Sequence, residues 1–200
     1  MTSTFAPLAS LVLSGLLMSV LPAAQAVTLA GTVDNGNVVN TDFFSPSLVA
    51  ADIGFLHDQP VTLNMLVDGD EASGQVGFNA VIDQFQPGQS LSNLLITLTG
   101  GATFAQLGGL TTLPGQGPAT VTLSNGNQTA LISFNGLAQQ LFVGNPFGEA
   151  LQDWQISVQG LSAGSAFSMT VSAVPEPTSL ALVLASLGCS GLLARRRLPR

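Results

Sequence analysis

Apolar and polar residues alternate with period two through most of residues 27–174, and few secondary structures tolerate that pattern. Successive side chains of a strand point to opposite faces, so alternation describes a half-buried strand and not a helix, whose apolar face recurs every 3.6 residues. Val61, Leu63, Met65 and Val67 alternate with Thr62 and Asn64. Val76, Phe78, Ala80 and Ile82 alternate with Gln75, Gly77 and Asn79, and Leu94, Ile96 and Leu98 oppose Asn93, Thr97 and Thr99. Trp154, Ile156 and Val158 share a face, as do Phe167, Met169, Val171 and Ala173, and Val27, Leu29, Gly31 and Val33 fall on one face of a first strand.

Turn chemistry separates these runs. Val121 to Leu123 leads through Ser124-Asn125-Gly126-Asn127 to Ala130, Ile132 and Phe134, which specifies a hairpin with an Asn-Gly turn. In total the pattern predicts about eight or nine short strands between Gly-, Pro- and Asn-rich turns. No helical pattern of good length competes. Residues 47–56 and 137–141 are each expected to form a turn or two of helix, and 108–118 a long loop. Val-Thr-Leu recurs at 27, 61 and 121, but the unequal spacing excludes a solenoid. The expected class is therefore all-β: an antiparallel β-sandwich of jelly-roll or immunoglobulin-like form over 27–173, between an N-terminal signal helix and a C-terminal transmembrane helix.

Charge narrows the function. The only cations are Arg195, Arg196, Arg197 and Arg200, whereas ten of the eleven acids lie between residues 27 and 174. Nucleic-acid binders neutralise phosphates with Lys and Arg, so this body is expected to bind no nucleic acid. Anionic lipid surfaces are disfavoured for the same reason. Divalent cations and neutral sugars remain compatible partners. The single cysteine, Cys189, lies outside the body, so no internal disulfide is available to it.

The ends carry transport signals. Residues 8–21 form an uncharged apolar run, Pro22 breaks it, and Ala24-Gln25-Ala26 follows as a small-x-small site. This is the pattern of a secretory signal peptide over 1–26, with Ala24 and Ala26 at the signal peptidase site and Val27 as the first mature residue, although no Lys or Arg precedes the run. At the other end, residues 178–194 carry no charge and are rich in Leu and Ala. As a helix they would span about 25 Å, the lower limit for crossing a bilayer. Arg195, Arg196 and Arg197 follow as a cytoplasmic stop, placing the body on the opposite side of the inner membrane. Pro175 and Pro177 keep the segment before the span extended, and Glu176 keeps it out of hydrocarbon.

Val174-Pro175-Glu176-Pro177, then a short apolar helix, then a terminal Arg cluster resembles the PEP-CTERM sorting signal. Pro175, Glu176 and Pro177 match the triplet, 178–194 the helix, and Arg195–Arg197 the basic end, so the resemblance covers the tail 174–200 and no more. It implies recognition by an exosortase, a membrane transpeptidase-like protease whose substrates are surface proteins of Gram-negative bacteria, many of which make exopolysaccharide. The leading expectation is a non-enzymatic protein of the cell surface or extracellular matrix, linked to exopolysaccharide or biofilm and anchored with its body in the periplasm before processing; the alternative is a β-sandwich module that binds polysaccharide or Ca²⁺. Similar tails occur on proteins described as ice-binding, so the tail does not specify what the body does.

Within the body, catalytic chemistry is poorly supplied. His57 is the only histidine, and on a strand its neighbour Asp58 would point to the opposite face. No Lys or Cys is present as a nucleophile, and no Gly-x-Ser-x-Gly elbow occurs. No enzymatic activity and no organic cofactor are expected. Asp68, Asp70 and Glu71 form the densest acidic cluster, with the hard oxygens that Ca²⁺ prefers but without an EF-hand spacing; Asp-Gly is also a turn signal. Asn127-Gln128-Thr129 matches an Asn-linked glycosylation acceptor. With one Trp and no Tyr, an aromatic platform for sugars is sparsely provided, and the Phe residues are expected inside. No regular Thr-x-Thr ladder that would give a flat, repeated ice-binding face occurs, and Thr111-Thr112 alone is not one.

Overall fold

The computed structural model describes residues 27–68, 74–84, 91–113, 119–148 and 151–174. The expected signal helix with Ala24 and Ala26, and the tail with Pro175, Glu176, Pro177, the 178–194 span and Arg195, Arg196 and Arg197, lie outside them. No helix among the described residues is long and apolar enough to cross a membrane.

The described chain is all-β. Its strands are β1 (Val27–Val33), β2 (Val38–Asn40), β3 (Leu48–Phe55), β4 (Val61–Val67), β5 (Gln75–Gln84), β6 (Leu91–Thr99) and β7 (Thr103–Gln106). They continue with β8 (Leu110–Thr112), β9 (Ala119–Ser124), β10 (Thr129–Ala138), β11 (Gln140–Val143), β12 (Trp154–Ser157) and β13 (Ala166–Val174). The number exceeds the eight or nine expected because β2, β3, β7, β8 and β11 form in segments where no strand was expected.

Two sheets result. The first has the order β1-β4-β13-β6-β10-β9 and is antiparallel throughout. The second has the order β2-β3-β5-β11-β8, with β12 also paired to β5 and β7 paired to β12. The chain crosses repeatedly between sheets, and one crossing corrects the expectation of purely antiparallel pairing. It leaves the second sheet after β3, runs through β4 in the first, and returns as β5, so β3 and β5 lie parallel, from Leu48 opposite Gly77 to Phe55 opposite Gln84. Parallel neighbours need such a long crossover.

Inward residues of both sheets belong to one hydrophobic cluster. Val61, Leu63, Met65 and Val67 supply it from β4, and Val76, Phe78, Ala80 and Ile82 from β5, all at most 1% exposed. The alternation thus fixed which face each strand buries, since a register slip of one residue would turn every one of these side chains outward.

Three local expectations are corrected. Residues 47–56 are not helical but contain β3; Val49, Ala51, Ile53 and Phe55 face the core, while Ala50 on the opposite face is also covered at 3% exposure. A strand buried on both faces loses visible alternation. Residues 137–141 join β10 to β11 without helix, and 108–118 contain β8. The β9–β10 hairpin forms as expected, but its turn centres one residue later. Gln128 N–H donates to Asn125 O at 3.1 Å, and the central Gly126 and Asn127 both have positive φ, 60° and 64°, as a type I′ turn demands.

One loop closure is polar. Asn37, 6% exposed, accepts through Oδ1 from the backbone N–H groups of Leu56 and His57, at 3.0 and 2.9 Å, and donates through Nδ2 to Gln59 O at 2.8 Å. A single amide thus satisfies three backbone groups of the 56–59 bend, which explains why a buried Asn is tolerated there.

Candidate functional site

The outward side chains of the second sheet assemble a groove from strands far apart in sequence. On β5 these are Gln75, Asn79, Val81 and Asp83, opposite in direction to the core residues between them. Register aligns them across the sheet: Asp52 lies beside Val81, Val81 beside Phe142, and Phe142 beside Thr111. A second row pairs Gly77 with Gln155 and Gln155 with Gln106.

The wall of this groove comes from an interrupted strand. β11 pairs with Ala80 to Asp83 of β5, the described residues 144–148 and 151–153 lie outside any strand, and β12 resumes against Gln75 to Phe78. The same level is broken on the neighbouring side, between β7 and β8. Gly109 O closes both breaks, accepting from Gly144 N–H at 2.8 Å and from the Trp154 indole Nε1–H at 2.9 Å. Asp153 fastens the excursion to the sheet: its Oδ1 accepts from Asn79 Nδ2 and from Asn145 N–H, both at 3.1 Å. Asn79 is 8% exposed, so this amide–carboxylate contact is made away from bulk water.

The space enclosed is a cavity of about 790 Å³ over β3 and β5, whose lining includes Phe43, Asp52, Asn79, Asp83, Phe147 and Asp153. That volume falls among those of small-molecule sites, about 300–1,000 Å³. A smaller cavity of about 360 Å³ adjoins it, sharing Asn145, Pro146 and Phe147, and reaches Thr111 and Thr112. A third, about 320 Å³, shares Asp153 and is otherwise lined by Gln75, Gln106, Gln152 and Gln155.

Two aromatic side chains stand at this groove. Phe43 is 68% and Phe147 63% exposed, which corrects the expectation that the phenylalanines lie inside. Phe55, Phe78, Phe104 and Phe167 do, at 2% or less. Phe147 is held edge-on against Phe142, with ring centroids 5.1 Å apart, so it is positioned despite its exposure.

Burial pushes the Asp52 carboxyl above its ordinary range. Burial also pushes Asp83 up, a hydrogen bond from Gln140 pulls it back, and the Asp52 charge adds to the rise. A carboxyl raised on folding contributes stability that is present below its unfolded pKa and is lost as pH rises through the folded value. The double variant D52N/D83N is therefore expected to unfold at a higher urea midpoint than the parent at pH 7. The difference should close as pH falls below the ordinary aspartate value of 3.8. Urea titrations of both proteins between pH 3 and 8 check this.

The residues singled out from sequence fall elsewhere. Asp68 is exposed at the end of β4, and Asp70 and Glu71 lie outside the described residues. Among the described residues no group of three or more His, Cys, Asp and Glu is arranged to hold a metal. His57 is exposed in the bend before Pro60. Asn127 is exposed in the hairpin turn, and its carbonyl accepts from Phe104 N–H at 2.8 Å. Trp154 is fully buried, as its alternation predicted. Sequence reasoning missed Asp52, Asn79, Asp83 and Asp153; for the first three the available signal was a polar residue at an outward position of an otherwise apolar strand, while Asp153 precedes β12 and carried no such signal.

Comparison of the chain with known protein families, curated proteins and solved structures finds no match.

Proposed function

We propose that this chain is an exported, non-enzymatic surface protein: a β-sandwich body delivered through a PEP-CTERM tail, processed by an exosortase, and retained at the cell surface or in an exopolysaccharide-containing matrix. The observation that carries the reading is the succession of parts in the tail: Pro175-Glu176-Pro177, then the apolar run 178–194, then Arg195–Arg197. The sandwich form is supported by two sheets that contribute to a single hydrophobic cluster.

The tail's attachment point suits a tethered body. β13 runs directly into Pro175 and is flanked on both sides, by β4 along Ala166–Val171 and by β6 along Ser168–Val174. Tension on the tail is taken up along a strand with a hydrogen-bonded neighbour at each edge. It does not act on an edge strand that could peel away. Val27, buried at the start of β1, fits a mature N-terminus packed into the body.

Intact-mass measurement of the surface protein from cells with a working exosortase tests the reading. The expected mass lacks both residues 1–26 and the C-terminal arginines. Replacement of Pro175, Glu176 and Pro177 by alanine is expected to leave the full tail in the inner membrane. A mature surface protein that retains Arg200 overturns the sorting proposal.

A further inference from the structure

We propose that the outward face of the second sheet is a binding track for a neutral polysaccharide, with Phe43 and Phe147 as stacking surfaces and Asp52, Asn79, Gln106 and Gln155 as its polar floor. This goes beyond surface sorting and stands or falls separately from it, because it concerns the body alone.

The first argument is continuity. The three cavities adjoin one another along the sheet: the outer two each share lining residues with the central one, Asn145 to Phe147 on one side and Asp153 on the other. A single small molecule would use one cavity, whereas an extended chain uses all three. The path crosses from β8 and β11, over β5, to β12 and β7, so its floor is a rigid sheet and not a set of loops.

The second argument is the chemistry of the lining. Sugar hydroxyls both donate and accept hydrogen bonds, and carboxamides do the same, while carboxylates only accept. The third cavity is lined by four glutamines and Asp153. Gln106 donates to Gln152 at 3.1 Å, which orients both amides and leaves Gln106 Oε1 and the Gln152 NH₂ directed by that contact. The acids are largely committed within the protein: Asp153 to Asn79 and Asn145, and Asp83 to Gln140. A basic peptide would find few carboxylates ready to pair. An anionic polymer would meet carboxylates without a single Lys or Arg in residues 27–174. A neutral polyol has neither obstacle.

The third argument concerns the two phenylalanines. Exposed rings beside a polar floor match the face of a pyranose, which offers C–H groups to an aromatic and hydroxyls at its rim. The rings stand in a mixed lining, where Leu48, Val81 and Pro146 alternate with Asp52, Asn79, Asp83 and Asp153, and a sugar ring offers both C–H faces and hydroxyls to such a surface. Phe142 already fixes the orientation of Phe147, which lowers the ordering cost of binding.

The test uses the full chain in detergent micelles, titrated calorimetrically. The probes are neutral oligosaccharides of glucose, galactose, mannose and N-acetylglucosamine from one to six units long, with polygalacturonate and oligolysine for comparison. At least one neutral series should bind, with affinity rising with length. F43A and F147A should each weaken it at least tenfold. Q155A should weaken hexamer binding more than dimer binding, and L66S, on the first sheet's outer face, should leave binding unchanged. Near-UV circular dichroism of buried Trp154 verifies that each variant is folded. Failure of every neutral series, preference for oligolysine or polygalacturonate, or neutral binding indifferent to both Phe substitutions overturns the proposal.

Discussion

Replacing Trp154 by alanine is expected to cost about 3–5 kcal/mol, the usual range for emptying a large aromatic site. Trp154 is fully buried, and its ring meets the edges of Phe78 and Phe104 at centroid distances of 6.2 and 5.7 Å. Those three rings come from β12, β5 and β7, so the substitution leaves a cavity shared by three neighbouring strands. It also removes the indole donor to Gly109 O, one of the two bonds that this carbonyl accepts. A loss of this size is a large part of the about 5–15 kcal/mol typical of a domain. In a chain of this length it should lower the melting temperature by about 6–20 °C. W154F separates the contributions. It keeps most of the volume and leaves Gly109 O its bond from Gly144, so its cost should be smaller, about 1–3 kcal/mol. Thermal and urea unfolding of both variants check the order. Equal costs would mean that the hydrogen bond, and not the packing, holds this corner.

The core was legible wherever one face of a strand meets solvent. Val61 to Val67 and Phe167 to Val171 alternate because their intervening Thr, Asn and Ser residues remain partly wet, so burial is written into the residue order. β3 was illegible for the opposite reason. Its outward Ala50 is covered, and Ala50-Ala51 presents no polar mark of the strand period. Parallel pairing of β3 with β5 was also hidden, since it depends on β4 being claimed by the other sheet. No local pattern reports that choice. The Asn-Gly signal located the hairpin, but the centre of its turn was set by which residues paired: Ser124 faces Thr129, leaving four residues to turn.

The groove was less legible than the core because no short segment contains it. Asp52, Asn79, Phe142 and Gln155 become neighbours only through register across four strands. Each alone is an unremarked polar or aromatic residue at an outward position. The excursion after β11 was hidden too, since 137–141 was expected to be helical and β11 was not read as a strand that shares its partner with β12. Phe147 lies within that excursion, which is why an aromatic expected inside stands exposed. The tail behaves differently. Its triplet, apolar run and arginines are contiguous in the sequence, so a linear reading suffices to propose a sorting role for it, whereas a binding face built from pleats requires the fold.

Gly144→Ala should destabilise the protein more than Gly148→Ala, although both glycines have nearly the same backbone conformation, with φ of 71° and 72°. A left-handed conformation costs a side-chain-bearing residue about 1–2 kcal/mol, and both variants incur this. Only Gly144 adds a steric demand. A Cβ there would lie 2.6 Å from Phe78 O and 2.9 Å from the Asn79 Cβ, whereas at Gly148 it would meet nothing within 4 Å. Phe78 and Asn79 belong to β5, which is paired along both edges, so its backbone cannot yield without disturbing the sheet. The excursion must move instead, stretching the bonds from Gly144 to Gly109 and from Asn145 to Asp153. The G144A loss should therefore exceed the left-handed cost alone, while G148A stays within it, as urea midpoints of the two variants would measure. Equal losses would mean that the wall is not clamped to β5 at Gly144. The same close approach that makes the glycine necessary brings Pro146 and Phe147 over the sheet, so the point of greatest steric constraint is also the point that shapes the groove.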